Sequence, residues 1–404
     1  MQFFSGVSRT KGFKKIFCIL AVFVLFAAPL ISNANENFSP IEDVLETQLN
    51  SNEIRKLQQE LEKTMTDEAS ELLPYYTPKK LMQQILSGNV QDGVKTLPQN
   101  ILDIFIAEIK DNFNIVIKLM LVVFLSSFIK NLQSTFKEGT VGELAYFTCY
   151  AAVVTILALG FQSVLKYANE VLDSVHNLTG IAIPCLLALL VSSGNIVSGT
   201  ALQPIILIVI QATIKIFKDV LLPLCLMSGV LYIVSGLSER IKISGMASLL
   251  RQVVTWALGV ILMLYSSLVA IQGVTGAVID GATVKTAKTA INTFVPIAGK
   301  YMTDATDTII NCALVIKNAT GVTVMIITLI TCCIPIIKMF VLVIMYKFTA
   351  ALIEPFAEES FFDCVTDISD CMKTIVGVVA AAVAMLMLSI VVLLGAGGIS
   401  GMMQ

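Results

Sequence analysis

The chain has 404 residues, of which 56% are hydrophobic and only 14% are charged, and its mean hydropathy is +0.83. Soluble domains carry roughly a quarter charged residues, so this composition excludes a soluble protein and indicates an integral membrane protein. The formal net charge is -2, from 27 basic and 29 acidic residues. Without a basic excess, nothing in the composition indicates binding to nucleic acid.

Residues 1–34 have the pattern of an export signal. Basic residues precede the apolar run 16–31, and Ser32-Asn33-Ala34 places small residues before a cleavage point after Ala34. The alternative is an uncleaved anchor helix, although this run is short for a span of about 20 residues. On either interpretation, the chain that follows begins outside the cytoplasm.

Residues 35–112 are predicted to form a small, acidic, helical segment outside the cytoplasm. Apolar residues such as Ile54, Leu57 and Leu61 recur at helical spacing. The sequence therefore predicts two or three short helices, and an amphipathic helix after Pro98 that lies on the membrane surface before the first span. A loosely ordered acidic spacer at 35–70 and a partner-binding role both stay open.

The remainder, residues 113–404, is predicted to be an all-α polytopic transmembrane helix bundle with about seven to ten spans. Prolines within the apolar segments indicate that some of these helices are interrupted. Basic residues favour a cytoplasmic loop at 237–251, and their absence favours an outside loop at 167–179, which holds His176. The expected spans are 113–131, 144–165, 180–200, 204–218, 220–236, 252–272, 319–346 and 374–396.

The membrane domain contains a weak internal similarity. Pro184 and Pro223 match Pro296 and Pro335 at one constant offset, and each pair follows a span and then a polar stretch. This pattern favours two parallel repeats, at 144–236 and 252–353.

The long polar stretch at 278–310 interrupts the apolar second half and is the candidate functional segment. It is either an ordinary solvated loop or the lining of a wet path through the membrane. A lysine outside this stretch, set between Pro335 and an apolar run, either extends to the lipid headgroups or has a function. The candidate pore or interaction residues are Asp280, Lys285, Lys288, Pro296, Lys300, Asp304, Asp307 and Lys338.

The sequence contains no pattern of catalytic residues, so we expect neither an enzyme nor a cofactor. Its single histidine, His176, forms no metal-binding pattern, and the nine cysteines include no C-x-x-C. There is no P-loop, so any use of ATP would belong to a partner ATPase. Acidic residues from Glu354 to Asp370 are expected to form a solvated connecting helix rather than a cation site.

Several motifs, in their order along the chain, resemble the stage III sporulation protein AE family of endospore-forming bacteria. They are LLALLVSSG at 186–194, IDGATVKTAK at 279–288, VPIAGKYMTDATDT at 295–308, LVIKNATG at 314–321 and YKFTAALIEP at 346–355. The exported segment matches only in character, and residues 358–370 are more acidic than the family pattern.

This resemblance implies a sporulation protein that is part of the channel, or feeding tube, between mother cell and forespore. It would act in a hetero-oligomer with other envelope sporulation proteins, in the mother-cell-derived membrane around the forespore, and would be required for late forespore development. Fold-level analogy assigns no mechanism. The alternative is a permease subunit that carries a small solute or peptide and draws energy from a partner or an ion gradient.

Overall fold

A computed structural model of the chain describes residues 52–64, 77–86, 97–136, 139–193, 203–237, 243–294 and 299–402. The predicted export signal at 1–34 and Pro296 lie outside the described residues. Within the described ranges the chain is helical apart from short turns, and no strand occurs, which confirms the all-α fold.

Nine α-helices follow one another along the described chain. They are α1 (Asn52–Thr64), α2 (Pro78–Leu86), α3 (Leu97–Phe136), α4 (Gly139–Ser192), α5 (Gln203–Ile216), α6 (Leu222–Leu237), α7 (Ser244–Phe294), α8 (Gly299–Ile353) and α9 (Glu359–Met402). A π-helical turn, Phe217–Leu221, joins α5 to α6 without a break.

Six helical segments in the described ranges are long and apolar enough to cross a membrane, which makes this a multi-pass membrane protein. The division into eight spans was wrong, because two predicted pairs each form one helix. Segments 144–165 and 180–200 share α4, and segments 204–218 and 220–236 share the continuous α5–α6 helix. Polar residues end an apolar window without ending a helix, because the backbone hydrogen bonds continue through them.

The prolines do not interrupt the helices that contain them. Pro184 lies inside α4 and Pro335 inside α8. At Pro223, the second residue of α6, the preceding π-helical turn widens the helix, and the Leu222 N–H bonds to the Phe217 carbonyl. A π-helical turn of this kind relieves the clash between a proline ring and the preceding turn.

Helices α8 and α9 form an antiparallel pair at the centre of the bundle. The Ser369 hydroxyl donates to the Val343 carbonyl at 3.2 Å near one end of the pair. Helix α4 packs antiparallel to α8, where the Tyr346 hydroxyl donates to the Ile156 carbonyl at 3.2 Å. Helix α7 runs parallel to α9, and the Tyr265 hydroxyl donates to the Met385 carbonyl at 2.9 Å. Hydrogen bonds from side chains to backbone carbonyls thus tie the apolar helices together.

The segment before the first long helix is packed on the bundle. Ile54, Leu57 and Leu61 form the buried face of α1, which contacts α4, and Leu81 and Met82 bury α2 against α8. The spacer interpretation is therefore wrong for α1, because this apolar face finds a partner surface.

The separate surface helix predicted after Pro98 is also absent from the described chain, since those residues begin the continuous α3. The Phe105 ring lies 6.5 Å from that of Phe340, between centroids, and Phe105 and Ile109 pack beside Val341. Contact with α8 thus partly covers Phe105 and Ile109, while Leu102 and Ile106 of the same segment stay exposed.

Candidate functional site

The polar stretch at 278–310 forms the end of α7 and the beginning of α8. Each described half therefore extends a membrane-length helix. Lys285 is exposed on α7. Asp280 and Lys288 belong to the same helix, while Lys300, Asp304 and Asp307 belong to α8; the side chains of these five residues lie outside the described part of the structure. Their role stays a prediction.

Lys338 is the predicted site residue whose surroundings are best defined. It is half-buried in the second half of α8, and its Nζ lies 5.7 Å from the ring centroid of Tyr167 on α4. A cation at this distance is attracted by the negative face of the ring. Lys338 therefore contacts α4 near the middle of that helix.

The same height of the bundle carries further ionised side chains on the outer surface. Lys166 and Glu170 are exposed on α4, with Nζ and Oε1 3.9 Å apart. Asp173, one turn further along α4, accepts a 2.6 Å hydrogen bond from Lys218 Nζ. We call Lys166, Glu170, Asp173, Lys218 and Lys338 the central belt. The Lys218–Asp173 ion pair joins the π-helical turn to α4, and the contact of Lys338 with the Tyr167 ring joins α8 to α4.

The prediction of a loop at 167–179 was wrong, because these residues are part of α4; their predicted position outside the cytoplasm stays a prediction. The stretch contains neither glycine nor proline, so its polar side chains extend from an unbroken helix. His176 is exposed there, and its carbonyl accepts a hydrogen bond from Gln211 Nε2 at 3.2 Å. Four residues of the central belt therefore lie on α4 and the continuous α5–α6 helix, and Lys338 lies on α8.

Lys218 lies within the π-helical turn, which the sequence analysis did not predict. Such turns are rare and occur frequently at functional sites. A signal was present in the sequence, because Pro223 follows the charged pair Lys218-Asp219 inside an apolar run.

A second ionic site, the terminal cluster, consists of Arg251, Lys347, Asp370 and Tyr232. Asp370 Oδ1 lies 2.8 Å from Lys347 Nζ, and its Oδ2 lies 3.5 Å from Arg251 Nη1. The Arg251 guanidinium lies 5.6 Å from the ring centroid of the buried Tyr232. Asp370 is half-buried, so the prediction of a solvated connecting helix was wrong for this residue. The cluster joins α6, α7, α8 and α9.

The third polar site, Lys317 on α8, was not singled out by the sequence analysis. Its side chain is 1% exposed, and Nζ donates to the carbonyls of Leu393 and Leu394 on α9 at 3.2 Å each. Gly321, one turn further along α8, has no side chain, and this allows Leu394 to approach closely. A buried lysine in an apolar helix is costly and is retained where it has a structural or functional role. In the sequence, the sign of this site is the single charged residue of the motif LVIKNATG at 314–321.

The three sites consist of ion pairs, cation–ring contacts and hydrogen bonds from a lysine to carbonyls. Within the described ranges, no group of three or more His, Cys, Asp or Glu side chains is placed to hold a metal ion. The paired charges are suited instead to helix assembly and to contact with hydrophilic solutes.

Comparisons with known proteins agree with the membrane architecture. The family model for stage III sporulation protein AE matches residues 76–397, which include every helix from α2 to the greater part of α9. A curated relative, stage III sporulation protein AE of Bacillus subtilis (strain 168), is 29% identical over 392 residues, covering 96% of this chain and 98% of the relative. No solved structure matches. The match includes the central belt, the terminal cluster and Lys317, and the chain belongs to the stage III sporulation protein AE family.

Proposed function

We propose that this protein is a structural and transport component of the channel complex that links mother cell and forespore. It works in the mother-cell-derived outer forespore membrane and is required for late forespore development. Family membership supports the sporulation role, and the six apolar segments support the multi-pass arrangement. The protein is not an enzyme, and other envelope sporulation proteins are its partners.

The central belt is the observation that favours transport over a purely anchoring role. Ionised side chains at mid-height of long apolar helices are expensive in hydrocarbon and mark substrate or ion pathways. A protein that only anchors its partners in the membrane does not need ionised side chains such as Lys166, Asp173 and Lys218 between apolar segments.

The packing of α1 and α2 supports a role for the N-terminal segment in assembly. Their buried faces fix them against α4 and α8. Their opposite faces carry exposed Arg55, Lys56 and Lys63 on α1 and Lys79 and Lys80 on α2. In the proposed orientation this polar surface faces the space between the two membranes, where partners of the complex are reached.

The experiment is an in-frame deletion in the spore-forming host, with a tagged wild-type copy restored elsewhere. We expect forespores that complete engulfment but fail in late gene expression, and co-purification of the tagged protein with other envelope sporulation proteins. Normal late gene expression in the deletion strain would contradict the proposal. Saturable solute uptake by the purified protein in proteoliposomes would instead favour a permease subunit, with a partner ATPase or an ion gradient as the energy source.

A further inference from the structure

We propose that the central belt lines a water-filled passage within the membrane, with the helices α4 and α5–α6 as its wall. The proposal rests on the proposed function and adds to it the surface of this chain that faces the passage. At one height of the bundle, the exposed side chains are ionised on the α4 and α5–α6 side and apolar on the α7 side.

Contacts between helices establish that height. At one end of the bundle Lys347 pairs with Asp370. From there, Lys338 lies about 13 Å further along α8 and Gly377 about 10 Å further along α9, at roughly 1.5 Å per residue. Lys338 contacts Tyr167 of α4, and Gly377 lies beside Leu258 of α7. Tyr167 and Leu258 are thus at one height on two different sides of the bundle.

Both α4 and α7 run away from the terminal cluster, so their next residues stay level with each other. Helix α4 contacts the antiparallel α8 first through Ile156 and then through Tyr167. Helix α7 contacts the parallel α9 through Leu258 and then through Tyr265. The belt residues of α4, from Lys166 to Asp173, are therefore level with the residues of α7 from Ala257 to Leu264.

On the α7 side, this level is apolar. Trp256 is 69% exposed and Met263 is 73% exposed, with Val260 and Leu264 between and beside them. The sequence from Arg251 to Asp280 contains no Asp, Glu, Lys, Arg or His between these two residues. At roughly 1.5 Å per residue, this charge-free stretch exceeds a hydrocarbon thickness of about 30 Å. The outer face of α7 is built to contact lipid tails.

On the α4 and α5–α6 side, the same level carries exposed Lys166, Glu170 and Asp173 together with Lys218. Along α5–α6, exposed apolar residues flank the belt on both sides, with Ile205 and Ile208 before Lys218 and Leu226 and Met227 after it; on α4, the exposed Leu159 precedes the belt. The belt is therefore not the boundary at which the apolar surface ends. Ionised groups at membrane depth face a bundle interior or a water-filled cavity. Because this face lies on the outside of the chain, the water must lie against it.

The chemistry of the belt indicates what passes along it. Lys166, Lys218 and Lys338 lie near Glu170 and Asp173, the exposed Lys215 and Asp219 add one charge of each sign, and the Lys166–Glu170 and Lys218–Asp173 pairs reduce the net field. A surface of mixed sign attracts neither cations nor anions strongly over its whole area. We therefore infer a passage for small hydrophilic solutes and hydrated ions without strong selection by charge.

Cysteine accessibility tests the inference on the full chain in native membranes from sporulating cells. In a cysteine-free background, Glu170→Cys and Asp173→Cys report on the belt side, and Val260→Cys and Met263→Cys are controls at a similar height on α7. We expect a membrane-impermeant maleimide to modify the belt positions at least tenfold faster than the control positions. Labelling after denaturation in detergent establishes that all four variants carry a reactive thiol, and equal amounts of each protein in the membrane fraction establish that each is inserted.

Every other outcome overturns the inference. Equal reaction at all four positions would place this level of the bundle in water outside the membrane. Protection of the belt positions would place their face against lipid or protein, and reaction of the α7 positions alone would reverse the two sides. The labelling pattern does not depend on spore formation, so failure here is distinguishable from failure of the sporulation role.

Discussion

At the scale of single residues, Lys317 shows how a buried charge can hold two helices together. Its ammonium finds two carbonyls of α9 and no solvent. Lysine carries three N–H donors, and in an apolar interior each of them needs an acceptor. The carbonyls accept from Lys317 without requiring a buried carboxylate, which would itself have to be desolvated.

Replacing Lys317 tests this role. Lys317→Ala removes the two hydrogen bonds and leaves a cavity, so we expect the free energy of unfolding to fall by about 2 kcal/mol or more. Lys317→Glu should be worse, because a carboxylate would face two carbonyl oxygens. Thermal unfolding of the protein in detergent measures the change. Asn318→Ala, at an exposed neighbouring position, is the control and should unfold like the wild type.

Asp370 illustrates a different use of charge, since it is shared by two cations on two helices. We expect Asp370→Lys to destabilise the bundle, because Lys347 would then face a like charge. The double variant Asp370→Lys/Lys347→Asp should recover part of the loss. The expected coupling is about 0.5–1 kcal/mol, since the pair is partly exposed to solvent, and it should weaken at high salt.

A double-mutant cycle measured by chemical unfolding at low and high salt gives this coupling. Additive effects of the two single changes at low salt would show that the Lys347–Asp370 contact contributes no stability.

At the scale of elements, long helices replace the short spans that an apolar window predicts. Close approach between them depends on small residues. Gly160 of α4 lies directly against the buried Tyr346 ring of α8, whereas Gly259 of α7 has open space around its Cα.

The two glycines provide a matched pair of variants. Gly160→Val should lower the free energy of unfolding by about 1–3 kcal/mol, because Tyr346 has no space to move into. Gly259→Val should change it by less than about 0.5 kcal/mol, since glycine is itself a poor helix former. Comparison of the two unfolding midpoints measures the difference. An equal response would mean that α4 and α8 are not in close contact at Gly160.

At the scale of the whole molecule, the bundle extends beyond its long helices, because α1 and α2 cover the sides of α4 and α8. The apolar face of α1 is buried through Ile54, Leu57 and Leu61, which is a large contact for a helix of 13 residues. This docking fixes the segment that leads into the first long helix.

Leu57→Asp tests whether α1 docks in this way. The change places a charge in the apolar contact and should release α1 from α4. Trypsin should then cleave at Arg55, Lys56 and Lys63 several times faster than in the wild type, because a docked helix resists proteolysis. Gln59→Ala, on the exposed face of α1, is the control. If trypsin cleaves the wild type as fast as the Leu57→Asp variant, α1 is not held on the bundle.

The sequence by itself determined the class of protein, its helical fold and its family. Low charge and high hydropathy admit only a membrane protein, and long motifs such as IDGATVKTAK carry the family resemblance. It also selected Lys338 as the lysine outside the polar stretch with a candidate function, because a charge inside an apolar run is visible without coordinates.

Only the tertiary structure decided how the helices divide and what their charges contact. The polar residues at 167–179 end an apolar window without ending a helix. Hydropathy therefore predicted two spans where backbone hydrogen bonds form one continuous α4. The partners of Lys317, Asp370 and Lys338 lie between about 20 and 170 residues away in the chain, beyond any local pattern. The apolar outer face of α7 and the charged outer face of α4 can likewise be compared only because packing places the two helices at one height.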